Sequence, residues 1–288
     1  MLGLPLMAAI LFAGAALLMK RTTRWSIDIW RVSFVCNIVS AIAFQPFWFL
    51  YDGTPPWELW WQPVLVALLY VMGQVLTLTS LAQGEISVAA PVLGLKIVFV
   101  PIFLWMLGAG LLPVRTWVAC LGATLAVVML NTSDGHSGRG RILFSIVTAG
   151  AGAASFAMFD VCVQLWSGQW GRGAFLPMMF IASSLLSMGL FPFFKQRLRD
   201  VPRDAWPTLL AAAVLIAAQA IGILASVAFW QQVAVSNVVY SSRGLWSLCA
   251  VWLLGRYLNA SDSGLTTRVL LWRTGGALLL LLSIALLI

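Results

Sequence analysis

The chain has 288 residues, of which 61% are hydrophobic and only 9% charged, whereas a soluble domain carries about 25% charged residues. That composition excludes a water-soluble globule, and apolar runs that follow one another almost end to end leave no room for a soluble domain. The net charge of +8 does not point to nucleic acid, because the basic residues lie in short connections between apolar runs, where they set membrane orientation.

Crossing a hydrocarbon layer of roughly 30 Å takes about 20 mostly apolar residues. With no water to satisfy the backbone, such runs must be helical. Charge clusters and Gly/Pro breaks then predict ten helices, near 2–19, 27–50, 62–82, 86–108, 113–131, 142–166, 174–194, 206–230, 233–254 and 269–288. The first run has neither a basic n-region nor a small-residue cleavage site, so it is expected to stay as a span. In the fourth run Pro91 and Pro101 bracket Lys96 and are expected to bend the helix. Cys36, Cys120, Cys162 and Cys249 lie inside apolar runs without metal-ligand spacing and read as buried small hydrophobes. His136, in the polar stretch 131–141, has no partner motif. No metal and no cofactor is expected.

Shifting the chain by 147 positions lays Trp105, Leu107 and Gly108 on Trp252, Leu254 and Gly255, and Lys96 on Arg243. Slightly smaller shifts align AGAA at 13–16 with AGAA at 151–154, Pro63 with Pro207, and Gln74 with Gln219. The order is kept along the chain, as a duplicated five-helix unit would keep it. The expected halves are 1–135 and 136–288. Five is odd, so the second copy enters the membrane from the other side, and the expected fold class is an all-α integral membrane protein of ten transmembrane helices in two inverted five-helix repeats.

The connections after helices 1, 5, 7 and 9, with the adjoining helix ends, hold Lys20, Arg21, Arg24, Arg31, Arg139, Arg141, Lys195, Arg197, Arg199, Arg203, Arg256, Arg268 and Arg273. The opposite side holds Arg115 and Arg172. This bias places both termini outside the cytoplasm. Trp57, Trp60 and Trp61 cluster beside a span end, as interfacial anchors do.

Two five-helix halves, a fourth helix reading SVAAPVLGLKIVFVPIFLWMLG and a fifth reading RTWVACLGATLAVVML resemble the drug/metabolite transporter superfamily, in particular its ten-helix EamA-type members. The resemblance implies a solute carrier, often an exporter, with a central cavity between the repeats. Two features depart from it. Family members frequently carry a Glu after the LG that ends helices 4 and 9, where this chain has Ala109 and Arg256. Bacterial relatives usually keep both termini in the cytoplasm.

An ionisable group near the bilayer centre costs about 2.5–3.5 kcal/mol on insertion scales and marks a functional position. Lys96 lies mid-span in helix 4, Arg243 mid-span in helix 9 and Asp160 two-thirds along helix 6. Asp160 could pair with either cation and simply hold helices together. One acid cannot neutralise both cations, however, and repeat-equivalent positions converge near the pseudo-two-fold axis, where inverted-repeat carriers bind substrate. A guanidinium beside an ammonium suits a carboxylate or phosphate. The plastid phosphate translocators, distant members of the same superfamily, likewise use basic residues on helices 4 and 9. Gln74 and Gln219 either line the cavity or bond between helices. Gly14 and Gly152 fit close helix packing.

The leading expectation is therefore a secondary-active exporter or exchanger of a small organic anion, working by alternating access in the plasma (inner) membrane. The substrate would bind Lys96, Arg243, Gln74, Gln219 and Asp160, and a proton or another ion would couple to it. No P-loop is present. The alternatives are an exporter of cationic or amphipathic drugs with Asp160 as counter-ion, or a non-transporting membrane accessory protein. An enzyme is not expected, since one His and one mid-membrane acid are too few for acid/base or metal chemistry. For the termini the outcome is measurable: a C-terminal alkaline phosphatase fusion should be active and a fluorescent-protein fusion dark. Bright fluorescence without phosphatase activity would place the terminus inside.

Overall fold

The computed structural model of the protein describes residues 2–51, 53–84, 86–108, 110, 112–130, 139–247, 249 and 267–287. The junction at 131–138 with His136, residue Ala109, and the WLLG motif with Arg256 lie outside the described residues. The described residues form helices and no strands. In chain order they are α1 (Gly3–Thr22), α2 (Ile29–Ala43), α3 (Trp61–Gln83), α4 (Ile86–Leu93), α5 (Lys96–Met106), α6 (Val114–Leu130), α7 (Arg139–Ser167), α8 (Gly171–Leu186), α9 (Trp206–Trp230), α10 (Val233–Tyr240) and α11 (Thr267–Ala285).

Among the described residues, seven helical stretches are long and apolar enough to cross a bilayer: Gly3–Thr22, Ile29–Leu50, Trp57–Gln83, Val88–Met106, Ile142–Trp170, Gly173–Phe193 and Trp206–Trp230. Val114–Leu130 and Thr274–Ala285 are shorter apolar helices. The chain is thus a multi-pass, all-α membrane protein. The expected second and seventh spans finish in tighter 3₁₀ turns, Gln45–Leu50 and Ser187–Phe193, each carrying a proline that removes a backbone donor.

The expected fourth span is broken rather than bent. α4 ends at Leu93, and the chain crosses to α5 through Gly94 and Leu95, whose N–H groups reach back only three residues, to Pro91 O and Val92 O at 3.0 Å each. Pro91 removes one helical hydrogen bond. Gly94 decides the position, because a Cβ there would lie 2.7 Å from Val127 Cγ1 of α6. The expected ninth span breaks as well, at Ser241 and Ser242, after which residues 243–247 are again helical. No proline is present at this second break. The Ser241 hydroxyl instead donates to Val238 O at 2.6 Å, competing for a carbonyl that helix continuation would use. Shifted by 147 positions, Gly94–Leu95 falls on Ser241–Ser242.

α1 packs along α9, α3 along α7, and α6 along α11; α2 contacts α8 and α9, α3 also contacts α8, α7 contacts α4 and α5, and α1 contacts α10. Apolar side chains gain little by leaving lipid for protein, so these contacts rest on small residues that let backbones approach. Ala8, Ala9, Ala13 and Ala15 of α1 are buried, and a Cβ on Gly222 of α9 would come within 3.1 Å of Leu4 O and 3.2 Å of Ala8 Cβ. The two AGAA glycines differ. A Cβ on Gly152 would meet Thr77 Oγ1 of α3 at 2.9 Å, whereas one on Gly14 meets Leu215 Cδ1 at an ordinary 3.4 Å. Cys36, Cys120 and Cys162 are buried, but Cys249 is exposed. The apolar run around Cys249 signals contact with lipid as readily as contact with protein, so burial does not follow from it. Gly152→Ala should lower thermal stability in detergent by about 1–3 kcal/mol, the range for overpacking, while Gly14→Ala leaves the melting temperature unchanged or slightly raised. Equal effects at both sites would show that the α3–α7 contact does not depend on Gly152.

Candidate functional site

The first residue of α5 after the break is Lys96, and its side chain crosses to α7. The ammonium Nζ lies 2.7 Å from Asp160 Oδ2, with side-chain exposures of 21% and 3%. Asn237 of α10 donates from Nδ2 to the same carboxylate oxygen at 2.7 Å and to Val233 O at 3.0 Å. Three elements thereby meet on one oxygen. The ammonium also stands 5.8 Å from the ring centroid of Phe156, one helical turn before Asp160. In low dielectric, removing one member of such a pair strands the other charge, which is far more costly than replacing both by apolar groups.

Arg243 opens the helical segment after the second break and is held differently. Its guanidinium carbon lies 4.8 Å from the centroids of both Phe12 and Tyr240. These rings meet edge-on at 6.2 Å, so the cation sits in the corner between them, a favourable placement over ring faces. Nη1 donates to the Tyr240 hydroxyl at 3.3 Å, and that hydroxyl donates to Gln219 Oε1 at 2.7 Å. Among the described residues no carboxylate pairs with Arg243.

Gln74 is fully engaged with neighbours. Its Oε1 accepts from Ser33 Oγ at 3.2 Å and Asn37 Nδ2 at 3.0 Å, and its Nε2 donates to Asn37 Oδ1 at 3.0 Å and to the Tyr70 hydroxyl at 3.2 Å. It ties α3 to α2. Tyr70 in turn lies 6.0 Å from Phe156, the ring beside Lys96. The five expected residues therefore belong to one connected layer, in which Gln74 reaches Lys96 through two aromatic rings and Asp160 reaches Arg243 through α10. A shallow recess lined by residues that include Leu2, Pro5, Ser226 and Trp230 lies elsewhere and touches none of the five.

Sequence reasoning passed over Asn37, Asn237, Tyr70, Tyr240, Phe12 and Phe156. The two asparagines interrupt apolar runs and could have been found by that alone. Tyr240 could have been found three residues before Arg243, a spacing that places both on one helix face. Another buried pair was also missed: Arg31 Nε lies 2.6 Å from Asp28 Oδ2 at the start of α2, where Asp28 caps the helix by accepting from Arg31 N at 3.0 Å. Among the described residues no three of His, Cys, Asp and Glu gather as a metal site would require.

Residues 1–132 match the EamA-like transporter family. This match takes in α1–α6, with Gln74 and Lys96, and spans 132 of the 288 residues, so the likeness to a transporter family is one of the first part of the chain. Asp160, Gln219 and Arg243 lie beyond the EamA-like match. A solved crystal structure shares 14% sequence identity with this chain, covering 98% of it and 95% of its own length at a TM-score of 0.72, which is a likeness of fold. No curated protein matches the sequence.

The charge pair makes a distinct prediction. Lys96→Met or Asp160→Leu alone should destabilise the protein by roughly 3 kcal/mol, toward the low end because part of Lys96 remains accessible. The double variant should recover most of the loss in a double-mutant cycle read by thermal unfolding. Strictly additive losses would show that the two groups are not coupled.

Proposed function

We propose that the protein is a secondary-active carrier, not an enzyme, that exports or exchanges a small organic anion by alternating access across the plasma (inner) membrane. The observation that carries this reading is Arg243: a half-buried guanidinium that no described carboxylate neutralises, while Asp160 is already taken by Lys96 and Asn237. A buried cation without a counter-charge is costly, and an anionic solute supplies the missing charge. The same occupancy of Asp160 gives less support to a cationic drug as substrate, since a cation would have to displace Lys96.

An arrangement of two inverted five-helix repeats is supported by the two helix breaks at positions related by the 147-residue shift. Exchange of the repeats would also turn the α1–α9 contact into α7–α3 and the α2–α9 contact into α8–α3, and all four are present. The family match ends at residue 132, where the first repeat would end. Broken helices meeting near the membrane midplane are how inverted-repeat carriers build their sites. An ion or proton gradient, or exchange itself, would drive such a carrier.

The reading is tested by uptake of radiolabelled organic anions into proteoliposomes. Arg243→Ala should reduce apparent affinity roughly ten- to a hundredfold, the value of one charge-assisted hydrogen bond or slightly more. Arg243→Lys should restore only part of it, because the bidentate fork is lost. Wild-type anion kinetics in a folded Arg243→Ala variant would remove the basis of the proposal.

A further inference from the structure

The charge layer also limits the kind of anion it can accept. Among the described residues Lys96 and Asp160 cancel, which leaves Arg243 as one net positive charge. The other described acids stand apart: Asp28 pairs with Arg31, Glu58 lies in the turn Trp57–Leu59 before α3, and Asp200 and Asp204 lie in the connection between α8 and α9 and are bonded to Arg197 N and Trp25 Nε1. One negative charge therefore neutralises the layer. Two would leave an excess anion in a low-dielectric setting, the situation that buried ionic groups avoid.

Two further features narrow the choice. One nitrogen of the guanidinium bonds Tyr240, and the remaining in-plane donors form the planar fork that fits a carboxylate with two parallel bonds. The surroundings are aromatic: Phe12 and Tyr240 flank Arg243, while Phe156, in contact with Tyr70, flanks Lys96. A polyhydroxylated body would lose hydrogen bonds to water against these rings without replacing them, whereas a flat apolar body stacks on them. We infer that the substrate class is a monocarboxylate with a flat, apolar, aryl-type body, in preference to phosphate esters and dicarboxylates. This inference rests on the anion-carrier reading and deepens it.

Binding to the full chain in lipid nanodiscs, measured by calorimetry, tests it with probes that share one ring. 3-Phenylpropionate should bind on the order of tenfold or more tightly than 3-phenylpropionamide, which lacks the charge, and than phenylsuccinate and phenyl phosphate, which carry a second one. The preference for 3-phenylpropionate over its amide should disappear in Arg243→Gln. The comparison among probes on the unmodified protein stands even if that variant does not fold. Tighter binding of phenylsuccinate or phenyl phosphate overturns the monocarboxylate class and leaves the anion carrier in place. Tightest binding of benzyltrimethylammonium overturns both. Binding of the amide equal to that of the carboxylate, or no binding of any probe, also overturns the proposal.

Discussion

A charge placed in hydrocarbon has to be answered by another charge or dipole, and the meeting of Lys96 with Asp160 organises the centre of this molecule. The pair joins α5 to α7 at 2.7 Å. The same carboxylate draws in α10 through Asn237, and Tyr240, one helical turn further along α10, reaches α9 through Gln219 and carries Arg243. Elements far apart in sequence are thus fixed by a handful of directional contacts. The rest of the bundle is held by small residues, with Gly152 against Thr77 and Gly222 against Leu4, because apolar side chains gain little from exchanging lipid for protein.

The helix breaks follow from the same constraint. Unsatisfied backbone in lipid costs several kcal/mol for each group, so a span can open only where protein covers it. Gly94 is buried against Val127 of α6, and Ser241 and Ser242 are themselves buried. At each break the next residue is a cation, Lys96 or Arg243.

Much of this arrangement can be read from the residues alone. Bilayer thickness dictates run length, which is why the positions of most spans follow from hydropathy, and the cost of an intramembrane charge singles out Lys96, Asp160 and Arg243. The breaks could not be placed in the same way. Pro91 and Pro101 promised a bend, but the break at 94–95 depends on how closely α6 approaches Gly94, and the break at 241–242 has no proline to announce it. Which cation Asp160 would choose was equally open, since both lie at matching depth along the chain. The choice is made by the position of α7 relative to α5, a packing outcome that no local motif encodes. Asn37, Asn237 and Tyr240 escaped notice because a lone amide or tyrosine in an apolar run is as often helix-to-helix glue as part of a site.

The two intramembrane cations are answered unequally, and on the carrier reading that inequality has a consequence for the transport cycle. Lys96 has a carboxylate partner, whereas Arg243 has aromatic faces and a phenol hydroxyl. Without substrate, the described charges of the layer sum to one positive charge; with a monoanion bound they sum to zero. Reorienting a charged layer across a low-dielectric barrier costs desolvation and works with or against the membrane potential, about 2.3 kcal/mol per charge per 100 mV. Reorienting a neutral one avoids both costs. The loaded form is then the one that crosses readily, and a carrier that crosses readily only when loaded on both strokes is an exchanger. Charge compensation within the layer thus favours exchange over net export.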